Sequence, residues 1–138
     1  MNSNDNGESK VLDGEMLAKM AQGGAVLLRA NADEVNNLNV FPVPDGDTGD
    51  NMSMTIESGV SALEKVETRN LADVMSAFSK GTLLGARGNS GVILSQFFAG
   101  MAKGLENCET ADVEVVAKAM QVGVAQAYKS VLTPTEGT

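Results

Sequence analysis

The chain has 138 residues, with 10 Lys+Arg against 18 Asp+Glu and a formal charge of −8. That length allows one domain or part of one, and a 43% hydrophobic share is enough to form a core. The acidic balance argues against a nucleic-acid partner, and the absence of His removes Ser-His-Asp and Cys-His triads, histidine metal ligands and histidine acid–base work.

Residues 1–10 are polar and read as a disordered tail, without the apolar stretch of a signal peptide. The domain proper is then expected over residues 11–138. Residues 12–36 carry a helical stripe: Leu17, Met20, Ala21, Gly24, Ala25, Leu28, Ala32 and Val35 recur at spacings of three and four. Residues 37–50 break it with Pro42, Pro44, Gly46 and Gly49, which predicts an ordered loop anchored by Val40, Phe41 and Val43. A second helix is predicted from Thr48–Asn51 onward, with Met52, Ile56, Gly59, Val60, Leu63 and Val66 on one face.

Asn70 is the expected N-cap of a third helix with Leu71, Val74, Met75 and Phe78 inward. Residues 81–91, GTLLGARGNSG, are glycine-rich. A fourth helix follows with Val92, Ile93, Leu94, Phe97, Phe98, Met101 and Leu105. Thr110 is expected to cap a fifth, striped by Val113, Val116, Met120, Gly123, Val124, Ala127 and Val131 and stopped by Pro134. No strand alternation is found, so the expected fold is all-α, an antiparallel helical bundle of about five helices. No run approaches the ~20 apolar residues of a membrane span. Cys108 is the single cysteine, which fits a reducing, cytoplasmic setting.

Two segments stand out. In residues 39–51, Asp45 and Asp47 lie one residue apart on a glycine-punctuated turn and could converge on a hard cation such as Mg²⁺. The next helix would start beside them, and its unpaired N–H groups would favour an anion. Asp-Gly and Asp-Thr-Gly are also ordinary turn chemistry. An EF-hand fails on spacing: counted from Asp45, position 5 is Gly49, position 6 is Asp50 and position 12 is Ile56. The second segment, Gly85-Ala-Arg87-Gly88-Asn89-Ser90-Gly91, opens a helix. Its glycines would let backbone amides approach a phosphate, and Ser90 and Arg87 add a hydroxyl and a guanidinium. It lacks the Lys of a Walker A loop and the preceding strand of a dinucleotide fingerprint. A tight interhelical turn with a Ser cap is the plainer alternative. Together the segments suggest a metal–phosphate site in which magnesium brings ATP to an acidic protein.

NVFPVPDGDTGDNM (39–52) followed by LLGARGNSGVILSQFF (83–98) resembles the nucleotide-binding L domain of dihydroxyacetone kinases. The resemblance is greatest to the N-terminal domain of the bacterial fatty acid kinase A subunit, and it covers residues 12–138. It implies an up-and-down barrel of about eight helices that binds ATP at its mouth through two Mg²⁺ ions. By resemblance Asp45 and Asp47 are the metal-binding carboxylates, with Asn39 where the pattern has a third metal Asp. If catalysis needs a base, one of the two aspartates would serve while holding metal. Thr48, Gly49 and Asn51 match phosphate-side contacts, and Gly88, Asn89, Ser90 and Gly91 match the glycine loop. Asp50 departs from the usual Thr. An extra carboxylate beside phosphates is unfavourable unless it faces solvent, caps the helix or joins the metal shell. Residues 133–138, TPTEGT, resemble a KPVEGT motif ending at Thr138 and preceding further helices. About five of eight helices are therefore expected here. Such a truncated barrel would expose apolar faces and favour low stability or self-association as a homodimer.

The resemblance implies an ATP-dependent kinase domain. Its acceptor would be a fatty acid presented by a separate lipid-binding protein or, alternatively, dihydroxyacetone held by a K subunit. A nucleotide-binding module without turnover and a plain helical interaction protein are the competing classes.

Overall fold

The structure is a computed structural model, and it describes residues 10–38 and 46–132. It is all-α apart from one very short ladder. The helices in chain order are α1 (Gly14–Ala30), α2 (Ala32–Leu38), α3 (Thr48–Leu63), α4 (Leu71–Leu84), α5 (Gly88–Gly104) and α6 (Val113–Leu132). The ladder pairs β1 (Val11–Leu12) with β2 (Ala111–Asp112) antiparallel, Val11 opposite Asp112 and Leu12 opposite Ala111.

The single helix expected over residues 12–36 is in fact two, so six helices stand among the described residues where about five were expected. Asn31 divides them. Its backbone N–H donates to the carbonyls of Leu27 and Leu28 at 3.2 and 3.1 Å, and its side-chain Nδ2 donates to Leu27 O at 2.8 Å. A short polar side chain that bonds its own backbone offers the chain an exit from the helix. The Asn31 carbonyl then accepts from Val35 N at 3.1 Å and so opens α2. Apolar periodicity runs through this break because Ala32 and Val35 still face inward, and periodicity alone could not reveal it.

The other helix starts are set by polar caps. Asp13 accepts from Met16 N at 2.9 Å, and Asn70 accepts from Asp73 N at 3.1 Å as the sequence predicts. The loop after α5 closes on α4. Asn107 takes a left-handed φ of 66°, and the carbonyls of Cys108 and Glu109 accept from Ala72 N and Leu71 N. These bonds satisfy donors that a helix start otherwise leaves unpaired. Asp112 caps α6, accepting from Val115 N at 3.0 Å. The expected cap, Thr110, falls short because the β1–β2 pairing carries the chain two residues further before it can turn into helix.

The core gathers Leu63, Leu71, Val74, Met75, Phe78, Met101, Leu105, Ala111 and Ala119. Phe78, Phe98 and Phe97 stack edge to face, with centroids 4.8 and 5.4 Å apart. All four inward residues predicted for α4 are buried. Against expectation, Met20 and Gly24 on α1, and Val113, Met120, Val124 and Val131 on α6, are exposed. The reason is tertiary. The α6 helix lies against α5 by close backbone approach, where a Cβ on Gly100 would come within 2.6 Å of Gly123 Cα and one on Gly104 within 2.7 Å of Ala119 Cα. That contact uses the small-residue side of α6 and leaves its larger residues outside. An apolar groove of about 350 Å³ lies between α1 and α6, lined by residues that include Leu12, Met16, Met20, Val116 and Met120. No helix among the described residues is long and apolar enough to cross a membrane.

Candidate functional site

The two segments singled out in the sequence meet where α3 and α5 begin. Asp47 stands at the N-cap of α3 with φ −132° and ψ 11°, and its exposed carboxylate makes no capping bond. The cap comes instead from α2. Asn36 Oδ1 accepts from Gly49 N at 2.6 Å and from Asp50 N at 3.2 Å. Gly49 is buried, and a Cβ there would run into the carbonyl of Ala32. Asn51 N donates back to Asp47 O at 2.9 Å in the ordinary helical way.

This corrects the expectation that the first amides of α3 point unpaired toward an anion. Those of Gly49 and Asp50 are taken by Asn36, because the break at Asn31 swings α2 onto the start of α3. What α3 offers outward is side chains: the exposed Asp47 and the half-buried Thr48 and Asn51.

The start of α5 is built differently. Arg87 occupies its N-cap in an extended conformation, with φ −124° and ψ 127°, and its side chain makes no capping bond. The first helical bond is Gly91 N to Arg87 O at 3.1 Å. Ahead of it, the amides of Gly88, Asn89 and Ser90 have no acceptor among the described residues. Gly88 turns the chain with φ +68°, and a Cβ there would collide with the Asn51 side-chain amide. Both constraints call for glycine.

Three contacts lace the two helix starts together. Thr55 Oγ1 donates to Asn51 O at 2.8 Å and accepts from Arg87 N at 3.1 Å, and Gly91 lies flush against the same oxygen. Asn51 packs on Gly88. Ser90 Oγ donates weakly to Thr48 O at 3.4 Å. Asp47, Thr48, Asn51, Gly88, Asn89, Ser90 and Gly91 therefore form one cluster around two adjoining helix starts. Asn39, Asp45 and Thr138 lie outside the described residues. Among the described residues no three Asp, Glu, Cys or His side chains come together to hold a metal.

The charge balance has a partner that the sequence did not disclose. Arg29, in the last turn of α1, donates from Nε to Glu57 Oε2 at 3.0 Å and from Nη2 to Glu57 Oε1 at 2.9 Å. Its Nη1 lies 3.7 Å from Asp50 Oδ1. The hydrogen bonds that Arg29 donates to Glu57 push its pKa further up, with smaller contributions from the Glu57 and Asp50 charges. The extra carboxylate at Asp50 thus faces a fixed cation.

Sequence reasoning missed Asn36, Thr55 and Arg29. Residue 36 entered only as the end of the first helical stripe, and Thr55 and Arg29 were not singled out at all. Only the spacing of Asn51 and Thr55, one helical turn apart, could have hinted that they share a face.

Residues 42–138 match the DAK2 domain, more than half of the chain. The chain belongs to the DAK2 domain family. It is 50% identical over 129 residues to protein YloV of Bacillus subtilis (strain 168), an alignment covering 94% of this chain and 23% of that protein. It is 49% identical over 127 residues to an uncharacterised protein of Staphylococcus saprophyticus, covering 92% of this chain and 23% of the relative. An uncharacterised protein of Staphylococcus epidermidis is 50% identical over 127 residues, with the same shares covered. The chain thus spans about a quarter of the length of the curated relatives it matches. The DAK2 domain belongs to kinase-related families.

Proposed function

We propose that this DAK2 domain binds Mg-ATP at the joined starts of α3 and α5 and serves phosphoryl transfer. One observation carries the reading. A helix start at which the amides of Gly88, Asn89 and Ser90 have no acceptor among the described residues lies against the turn that bears Asp47, whose side chain makes no capping bond. Amides of that kind suit phosphate oxygens, and a free carboxylate suits a hard cation.

In this reading the α5 amides and the Ser90 hydroxyl bind the phosphates. Thr48 and Asn51 line the same end. Asp47, with Asp45, would hold magnesium, in one or two ions. Bound magnesium neutralises charge on the phosphate oxygens. Gly49 and Gly91 act through close packing, which holds the two helix starts in register.

For the acceptor we propose a fatty-acid carboxylate presented by a separate lipid-binding protein, on the strength of the motif resemblance. The chemistry agrees with it. A carboxylic acid with a pKa near that of a glutamate side chain, about 4.3, is already ionised at neutral pH and needs no general base. The chain has no His, and the described cluster holds no carboxylate besides Asp47 and the paired Asp50. A hydroxyl acceptor such as dihydroxyacetone would ask more of the same groups. A cytoplasmic setting follows from the nucleotide.

Calorimetric titration with ATP tests the reading, first with Mg²⁺ and then with EDTA. Saturable binding that EDTA abolishes is the expected result. Absence of heat from a folded, helical chain would overturn it.

A further inference from the structure

Asp50 poses a problem for a site that takes a polyanion. It lies in the first turn of α3, three residues after Asp47, on the turn laced to the start of α5. The α3 dipole favours a carboxylate in that position. A phosphate beside it does not.

The counter-charge comes from another helix. Glu57 sits two turns along α3 from Asp50, and its two oxygens grip Nε and Nη2 of Arg29. A bidentate grip of this kind fixes the plane of the guanidinium. The remaining nitrogen, Nη1, is the one 3.7 Å from Asp50. A carboxylate that need not touch any ligand therefore orients a cation onto the carboxylate in the first turn of α3.

We propose that Arg29 is the charge-balancing residue of this site: held by Glu57, it neutralises Asp50 so that the start of α3 tolerates a polyphosphate beside it. The inference rests on the Mg-ATP reading given above. Arg29 is a positioning residue that acts through Asp50. Its loss must therefore scale with ligand charge and be offset when Asp50 is removed as well. Because the side chains of the Arg29–Asp50 pair are 44% and 47% exposed, salt must weaken the effect.

The test is a calorimetric comparison of the wild-type chain, Arg29→Gln, Asp50→Asn and the double variant, each titrated with Mg-ATP and Mg-ADP at low and high salt. Arg29→Gln should weaken Mg-ATP binding about 3- to 10-fold, around the roughly 5-fold that one unit charge carries across about 4 Å in bulk water. The loss should be smaller for Mg-ADP and should shrink as salt rises. The double variant, which has lost both charges of the pair, should bind Mg-ATP within about twofold of the wild type. A double variant that binds Mg-ATP as weakly as Arg29→Gln alone, or a loss that ignores ligand charge and salt, would overturn the proposal and leave Arg29 as a tie between α1 and α3. Glu57→Gln is the control for that role, since it loosens the same tie while keeping both Arg29 and Asp50. A deficit equal to that of Arg29→Gln, unaffected by salt, would count for the tie and against the charge. Intact wild-type binding with no effect of Arg29→Gln overturns this inference alone. No Mg-ATP binding by the wild type overturns the nucleotide reading and this inference with it.

Discussion

The starts of α3 and α5 lie side by side and look alike in sequence, each a glycine-bearing turn running into a helix. They are finished in opposite ways. At α3 a neighbouring helix supplies Asn36, which takes two amides, and Gly49 is buried against Ala32. At α5 the Arg87 side chain makes no capping bond, and three amides lack acceptors among the described residues. A helix start that is capped contributes stability, and one left open contributes binding, because unpaired donors await an acceptor. The pair therefore divides the work: α3 contributes carboxylate and amide side chains, α5 contributes backbone donors, and Thr55 holds them together.

The sharpest way to break that division is Asp47→Asn. It should reduce Mg-dependent ATP affinity at least about 100-fold, the upper end of what altering even an outer metal partner does. Helical content by circular dichroism should stay unchanged, since Asp47 makes no capping bond. Undiminished affinity would remove Asp47 from the site. Gly88→Ala comes next. The left-handed φ and the Asn51 side chain both oppose a Cβ, for a combined destabilisation of about 2–4 kcal/mol in denaturant unfolding. Nucleotide binding should fall with it, because the amides at the start of α5 would shift.

Asn36→Ala tests the capped side. Loss of a cap of this kind costs about 1 kcal/mol, visible as a melting temperature lowered by a few degrees. Its effect on Mg-ATP affinity should stay under about twofold. Tighter binding on freeing the Gly49 and Asp50 amides would instead make α3 the anion seat. Asn89→Asp gives the smallest effect on stability and the cleanest sign. A negative charge in the first turn of α5 should stabilise the helix by about 0.3–1 kcal/mol. The same charge should weaken ATP binding. Stability and affinity moving together would mean that α5 does not receive the phosphates.

Much of this arrangement was legible beforehand, and the limits follow from the range of each signal. The inward faces of α4, the Asn70 cap and the pairing of the two motifs at one site were all readable. The stripes of α1 and α6 were read too generously. Met20, Met120 and Val124 repeat at helical spacing, yet α6 meets α5 through glycine and alanine and leaves its larger residues outside. Spacing reports which residues share a face, and the neighbour decides which face is covered.

The amino-acid sequence by itself determined that the chain is helical, where most helices begin, and which residue types are gathered at DGDTGDN and GARGNSG. Those features depend on interactions three or four residues apart along the chain. Tertiary structure decided which helix start is closed and which is open, and which cation answers Asp50. Asn36 reaches Gly49 across 13 residues, Arg29 reaches Glu57 across 28 and Arg87 reaches Thr55 across 32. No local pattern encodes contacts at those separations, because they exist only once the break at Asn31 has turned α2 onto α3 and the helices have packed.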